Sequence, residues 1–148
     1  MPLRRLVLLC PVLLLALLAS GCGQAGGETR YTLLHQEVIK DNATRLEWVV
    51  GPDRYTNYTQ AVAWVHGCGI AGGGWRMPTL AQLRGLYAQG QGASNLDPVF
   101  KTTGWRIWAE PHDASSAMIF DFETGREEWR DLNFDNFARV FGVRPAQN

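Results

Sequence analysis

The chain has 148 residues, with 14 basic and 14 acidic side chains, so its formal charge at neutral pH is zero. A nucleic-acid-binding protein carries a clear excess of lysine and arginine, and this composition argues against that class. The length suits one domain and leaves no room for a second.

The N-terminus has the three parts of an export signal. Arg4 and Arg5 form a positive region, residues 6–18 are an apolar run, and small residues at 19–21 precede Cys22. The apolar run is too short to span a membrane as a mature helix. We therefore predict a secretory signal peptide at residues 1–21.

The junction at Cys22 resembles the lipoprotein box of bacteria, in which the cysteine sulfur is acylated and the cysteine becomes the new N-terminus. Ala19 stands where leucine is usual, and Gly23 replaces the aspartate that often retains lipoproteins in the inner membrane. The resemblance implies lipid attachment to the cell envelope, at the outer membrane if the host is Gram-negative. The alternative is an ordinary cleavable signal with an incidental cysteine.

Cleavage before Cys22 leaves 127 residues, enough to bury about two-thirds of the unfolded surface. It removes Arg4 and Arg5 and leaves 12 basic against 14 acidic side chains, a net charge of −2. Residues 22–30 are the lipidated cysteine and a glycine-rich flexible tether, and residues 31–148 are the folded domain. Cys68 then has no disulfide partner within the domain, and we interpret it as a small buried residue or, alternatively, a reactive thiol.

The domain begins with a pattern of short strands. Residues 31–34, 38–40 and 46–50 are β-prone, and the turn-forming residues 41–45 connect the last two in a hairpin. Asp41 in this turn could bind a metal ion, but one carboxylate with no second cluster falls short of a calcium site.

A first helix follows at residues 57–66. Asn57 can cap it with Gln60 at the third helical position, and an apolar stripe runs along one face to Val65 before Gly67 ends it. His66 near its end is more often a cap than a catalytic base.

A second helix is predicted from Leu80 to about residue 89. Thr79 and Gln82 form a capping box, and the preceding segment, residues 72–79, contains three glycines and Trp75. We predict that Trp75 belongs to the core, with a ligand site as the alternative.

The second half reads as a β-meander after a long connection at residues 90–104, a length that is often functional. Strands are predicted at residues 105–109, 117–122, 127–132 and 139–144. Met118, Phe120 and Phe122 should share one face of the second of these strands.

The Trp-Arg-Met-Pro-Thr motif at residues 75–79 resembles the W-R-L-P-T signature of the C-terminal domain of Legionella collagen-like adhesins. Residues 38–48 resemble its opening V-x-D-x-x-T-G-L-x-W, residues 58–61 its T-W-x-x-A helix, and residues 142–144 its closing R-C-V-R strand. The match covers residues 31–144. Arg45 stands where that family usually has glycine, and Gly142 where it usually has cysteine.

This resemblance implies an α+β, C-type-lectin-like fold, with two helices packed on a small, mostly antiparallel twisted sheet. It also implies a ligand-binding domain, adhesin-like, whose ligand is a glycan or a protein. The similar formylglycine-generating enzymes work through a cysteine pair that this chain cannot supply, so we expect no catalysis and no cofactor. The alternative function is a structural or accessory lipoprotein subunit of an envelope assembly.

Two segments suggest a ligand site. Residues 110–113, Glu-Pro-His-Asp, weakly resemble a calcium and sugar motif of lectins, but they supply too few oxygen ligands. The segment before the closing strand mixes aromatic, amide and charged side chains, and C-type-lectin-like relatives tend to bind ligands there. The alternative is an ordinary loop with its phenylalanines tucked inward. The candidate ligand-binding residues are Trp129, Arg130, Asp131, Asn133, Asp135 and Asn136.

Overall fold

The computed structural model describes residues 29–132 and 138–147. The predicted signal peptide and Cys22 lie outside these residues. In the described part, the strands are β1 (Tyr31–Leu33), β2 (Ile39–Asp41), β3 (Leu46–Val50), β4 (Arg106–Pro111), β5 (Ser116–Asp121), β6 (Arg126–Asp131) and β7 (Phe141–Pro145). The helices are α1 (Tyr58–Gly67) and α2 (Leu80–Leu86), with short 3-10 turns at His35–Glu37 and Ile70–Gly72. None of these described helices has the length and apolar character needed to cross a membrane.

The strands form two antiparallel sheets, one with the order β1-β2-β3-β7 and the other with the order β4-β5-β6. The α+β class is confirmed, but the single sheet of the prediction is wrong. Strands β4, β5 and β6 pair in sequence order and form one sheet. Strand β7 does not join them but pairs with β3, so it completes the other sheet. A parallel bridge between Ile107 and Arg139 links them.

Both helices begin where the capping residues predict. The Asn57 side chain accepts the Gln60 N–H at 2.9 Å, and the Gln60 side chain accepts the Asn57 N–H at 3.1 Å. Thr79 and Gln82 exchange the same two bonds at 3.0 Å each. α2 ends at Leu86, about three residues earlier than predicted, because the next residue leaves the helical conformation at ψ 124°.

The two helices cover opposite faces of the second sheet. Leu83 of α2 lies in one core cluster with Phe120, whereas Val65 of α1 lies in another with Ile119. Since Ile119 and Phe120 are consecutive in β5, their side chains point to opposite faces. The apolar residues of this strand therefore pack in the core on both faces of the sheet.

Trp75 belongs to the core, as predicted, with 5% of its surface exposed. Its ring N–H donates to the Ile70 carbonyl at 2.9 Å, and the Arg144 guanidinium lies over the ring at 4.1 Å. Arg144 pairs with the buried Glu47 carboxylate at 2.9 Å and also donates to the Ala71 carbonyl at 2.9 Å. One buried ion pair thus fixes both the tryptophan and the glycine-rich segment in front of it.

Candidate functional site

The most exposed tryptophan in the described residues is Trp129, with 52% of its surface accessible. It lies on β6, which pairs with β5 on one side and forms an edge of its sheet. Its cross-strand partner is Met118. An edge strand presents unpaired N–H and C=O groups as well as side chains, so this position offers a ring and a backbone edge together.

Charged side chains on the other face of β6 form a connected network. Glu128 accepts from Arg106 at 2.8 Å and from Arg130, and Arg106 also lies 3.5 Å from Asp121. The hydrogen bond that Arg106 donates to Glu128 raises the pKa of Arg106 above its usual value. Arg130 leaves the face of β6 opposite the Trp129 ring, but its guanidinium also donates to the Trp129 backbone carbonyl at 3.0 Å. This bond holds a charge at the β6 edge, where it can help to orient a ligand.

The predicted site residues are only partly described. Trp129, Arg130 and Asp131 lie on β6, so they belong to a strand rather than a loop. Asn133, Asp135 and Asn136 lie outside the described residues. In the sequence they lie between Leu132 and Ala138, the residues that precede and follow this gap. The Leu132 N–H donates to the Ser115 carbonyl at 2.8 Å.

A second polar cluster surrounds Arg139, whose side chain is 9% exposed. Its Nε donates to Asp53 at 2.9 Å, its Nη2 donates to the Thr103 hydroxyl at 3.1 Å, and the Tyr55 ring lies over the guanidinium at 4.4 Å. Its Nη1 is buried and has no hydrogen-bond partner in the described ranges. The Thr103 N–H also bonds to Asp53, which lowers the pKa of that carboxyl group and keeps it charged.

This Arg139 cluster lies across the sheet from Trp129. The Arg139 N–H and C=O bond to the backbones of Arg106 and Trp108 on β4, at 2.8 Å and 3.0 Å. Since β5 separates β4 from β6, three strand spacings or about 14 Å divide the backbones of Arg139 and Trp129. A single sugar residue cannot reach both, but an extended ligand can.

The long connection at residues 90–104 contacts the turn between β5 and β6 and also the Arg139 cluster. Asn95 donates to the Phe122 and Glu123 carbonyls at 2.9 Å and 3.1 Å, at the turn before β6. Gly104 packs against Arg139, where an added Cβ would meet the arginine Cγ at 2.5 Å. The last part of this connection therefore helps to build the Arg139 cluster. Asn95 lies near the start of β6, whereas Leu132 follows the end of that strand.

The Arg139 cluster was missed in the sequence. Asp53 and Arg139 are 86 positions apart, and only the return of the closing segment brings them together. The sequence shows a Pro-Asp-Arg-Tyr turn at residues 52–55, but no local pattern indicates that Asp53 contacts Arg139. The structure shows that the aromatic side chain at this turn, Tyr55, is 56% exposed and therefore does not belong to the core.

The remaining polar candidates have local structural contacts. Asp41 is buried and pairs with Arg30 at 2.9 Å, and Asp113 accepts from the Ser115 N–H at 2.8 Å in the turn between β4 and β5. Within the described ranges, no three His, Cys, Asp or Glu side chains come close enough to share a metal ion. Cys68 is half-buried at the end of α1. These side chains therefore form no further site with the geometry of a metal centre.

Comparison with models of known protein families and with curated proteins gives no match to this chain. The resemblance to the Legionella collagen-like C-terminal domain therefore stays a prediction carried by residues 38–48, 58–61, 75–79 and 142–144.

Proposed function

We propose that the chain is a lipid-anchored protein of the bacterial cell envelope whose domain binds a glycan or protein ligand without catalysis. The proposed location is the outer membrane if the host is Gram-negative. The observation that carries this proposal is the half-exposed ring of Trp129 on the edge strand β6, where Arg130 donates to the Trp129 backbone carbonyl at 3.0 Å.

A C-type-lectin-like fold is part of this proposal. It is supported by one of the two departures from the family motif. Arg45 stands at the usual glycine position and has a left-handed backbone with φ 56°, a conformation that glycine adopts most easily. At Gly142, an added Cβ would meet Val49 at 2.8 Å and Trp75 at 3.3 Å. A cysteine there would require Val49 to shift, so this second departure gives the fold no support.

The physical argument for binding rests on preorganisation. A tryptophan on a strand loses little conformational freedom when it contacts a ligand, and its ring can stack on a sugar face or an apolar side chain. Arg130 is already fixed by Glu128, so orienting it for a charged or hydroxylated ligand costs little further entropy. Most of the surface around Trp129 on β6 is charged, which opposes aggregation at this edge and favours a specific partner.

The ligand class can be tested by capture. The purified lipoprotein, solubilised in detergent, would be applied to a glycan array and used in an affinity pull-down from envelope extracts. We expect one saturable ligand, whose capture decreases when Trp129 is replaced by alanine. Failure of both assays to yield a saturable ligand would contradict the binding proposal.

A structural or accessory subunit is the second candidate, and one apolar surface favours it. Leu33 and Leu34 are 51% and 38% exposed beside a depression of about 110 Å³ that Ile39 and Val49 help to line. Neighbouring exposed leucines often mark a contact with another protein. Capture of a protein that is lost in Leu33→Asp but kept in Trp129→Ala would favour this candidate.

The anchor makes a separate prediction. We expect Cys22→Ser to abolish acylation, because Cys22 is the cysteine of the Ala-Ser-Gly-Cys junction at which the predicted signal peptide ends. Metabolic labelling with a fatty acid measures this directly, and membrane fractionation tests the proposed outer-membrane location. Cys68→Ser is the matched control and should be labelled like the wild type. A fatty-acid label that persists in Cys22→Ser would show that the anchor is assigned wrongly.

A further inference from the structure

We propose that a groove beside the start of the folded domain binds the phosphate of an anionic lipid headgroup and holds that face of the domain against the membrane. The inference rests on the proposed anchor at Cys22. It adds an orientation for the domain and a binding site distinct from the Trp129 surface.

The groove has a volume of about 720 Å³ and is open to solvent. Thr29 lies at one side, and Thr32 and Lys40, which are cross-strand partners on β1 and β2, lie on its wall. Asn42 and Arg45 from the β2–β3 turn, together with Gln147 after β7, complete the polar lining. Both charged residues of this lining are cations, so the groove suits an anion.

The position of the groove relative to the anchor follows from the chain. The Asn42 side chain donates to the Thr29 carbonyl at 3.0 Å, and the Asn42 N–H donates to the Arg30 carbonyl at 2.8 Å. These bonds fix the first described residues to the β2–β3 turn. Six residues separate Cys22 from Thr29, so the groove lies at most about 25 Å from the lipidated cysteine even if the connection is fully extended.

The cations of the groove are available to a ligand. Neither Lys40 nor Arg45 forms an ion pair in the described residues, whereas the adjacent Arg30 and Arg144 are paired with Asp41 and Glu47 at 2.9 Å each. Cations held this close to an anionic bilayer are attracted to its surface.

One neutral group, the Thr32 hydroxyl, can add a hydrogen bond to a phosphate. The Thr32 hydroxyl oxygen accepts from the Asn42 amide at 3.0 Å, which leaves the hydroxyl hydrogen to donate. Hydrogen bonds from lysine and arginine to phosphate oxygens are charge-assisted and stronger than neutral ones. The groove therefore combines two cations with a hydroxyl donor, next to the point where the anchored segment enters the domain.

The chain contains its own control, because Lys40 and Lys101 are its two lysines. Lys101 is exposed and lies beside Val50 and Gly51, at the opposite end of β3 from Arg45. We would reconstitute the acylated protein in vesicles of phosphatidylcholine alone or with phosphatidylglycerol. The rates at which an amine-reactive reagent acetylates the two lysines would then be measured by mass spectrometry.

We expect the Lys40 to Lys101 rate ratio to fall about fivefold on phosphatidylglycerol vesicles relative to phosphatidylcholine vesicles, and to recover in high salt. Arg45→Gln should reduce this protection. Arg54→Gln, which removes an exposed arginine at the other end of β3, should leave it unchanged.

An unchanged ratio on the two kinds of vesicle, for protein that sediments with both, would overturn the groove assignment and leave the anchor intact. Equal protection by inorganic phosphate on phosphatidylcholine vesicles would also overturn it, because the site would then take a free anion. Protein that carries no acyl group and does not sediment with either vesicle would overturn the anchor and this inference with it.

Discussion

Replacement of Trp75 by alanine is expected to lower the free energy of unfolding by about 3 to 5 kcal/mol. The ring is almost fully buried, and its loss would leave a cavity next to Val49 and Gly142 that the sheet cannot close by moving one side chain. It would also leave the Ile70 carbonyl without its donor and remove the ring from beneath Arg144. Urea unfolding followed by circular dichroism would measure the change.

Trp129→Ala is the matched control, since the same substitution is made at an exposed ring. We expect it to change the unfolding free energy by less than about 1 kcal/mol. If Trp75→Ala instead melted like the wild type and altered ligand binding, Trp75 would be a ligand contact and its assignment to the core would be wrong.

Replacement of Glu47 by glutamine is expected to destabilise the protein by about 3 kcal/mol or more, because it leaves the Arg144 charge buried without its partner. Both side chains of this pair are at most 5% exposed. The carboxylate also accepts the Gln147 N–H at 3.2 Å, so the change affects the closing strand. Thermal and urea unfolding would measure the loss of stability.

Glu127→Gln provides the control for this prediction. Glu127 pairs with Arg84 across α2 and β6, where both side chains are substantially exposed, and such pairs contribute about 0 to 1 kcal/mol. The double variant Glu47→Leu with Arg144→Met should recover much of the stability lost in Glu47→Gln, because no charge then stays buried and unpaired. Equal, small effects at Glu47 and Glu127 would contradict the structural role of the buried pair.

Local sequence patterns predicted the elements well, because their causes lie within a few residues. The two capping boxes join residues three positions apart, and both helices begin where Asn57 and Thr79 predict. The sequence predicts Trp75 in the core because its large apolar ring, between a glycine-rich segment and a proline, stabilises the fold most when it is buried. The division into two sheets depends on β7 pairing with β3, a long-range contact that no local pattern determines.

The candidate site was predictable only in part. Trp129 stands out in the sequence as an aromatic residue among charges, and the structure places it on a strand edge. The Arg139 cluster depends on Asp53 and Thr103, which approach through separate parts of the chain. The groove near Thr29 is also absent from any local pattern, because the sequence predicts a tether at residues 29 and 30, whereas both are bonded to the β2–β3 turn.

The central claim is that the β6 surface holds the ligand. Its most direct test is titration of the captured ligand against Trp129→Ala, Arg130→Ala and Asn133→Ala, after native melting is confirmed for each variant. At least one should weaken binding by about 1 kcal/mol or more, which is roughly a fivefold increase in Kd. Tyr55→Ala, at an equally exposed ring across the sheet, should bind like the wild type. Wild-type binding by all three folded variants, with weakened binding in Tyr55→Ala, would contradict the claim and assign recognition to the Arg139 cluster.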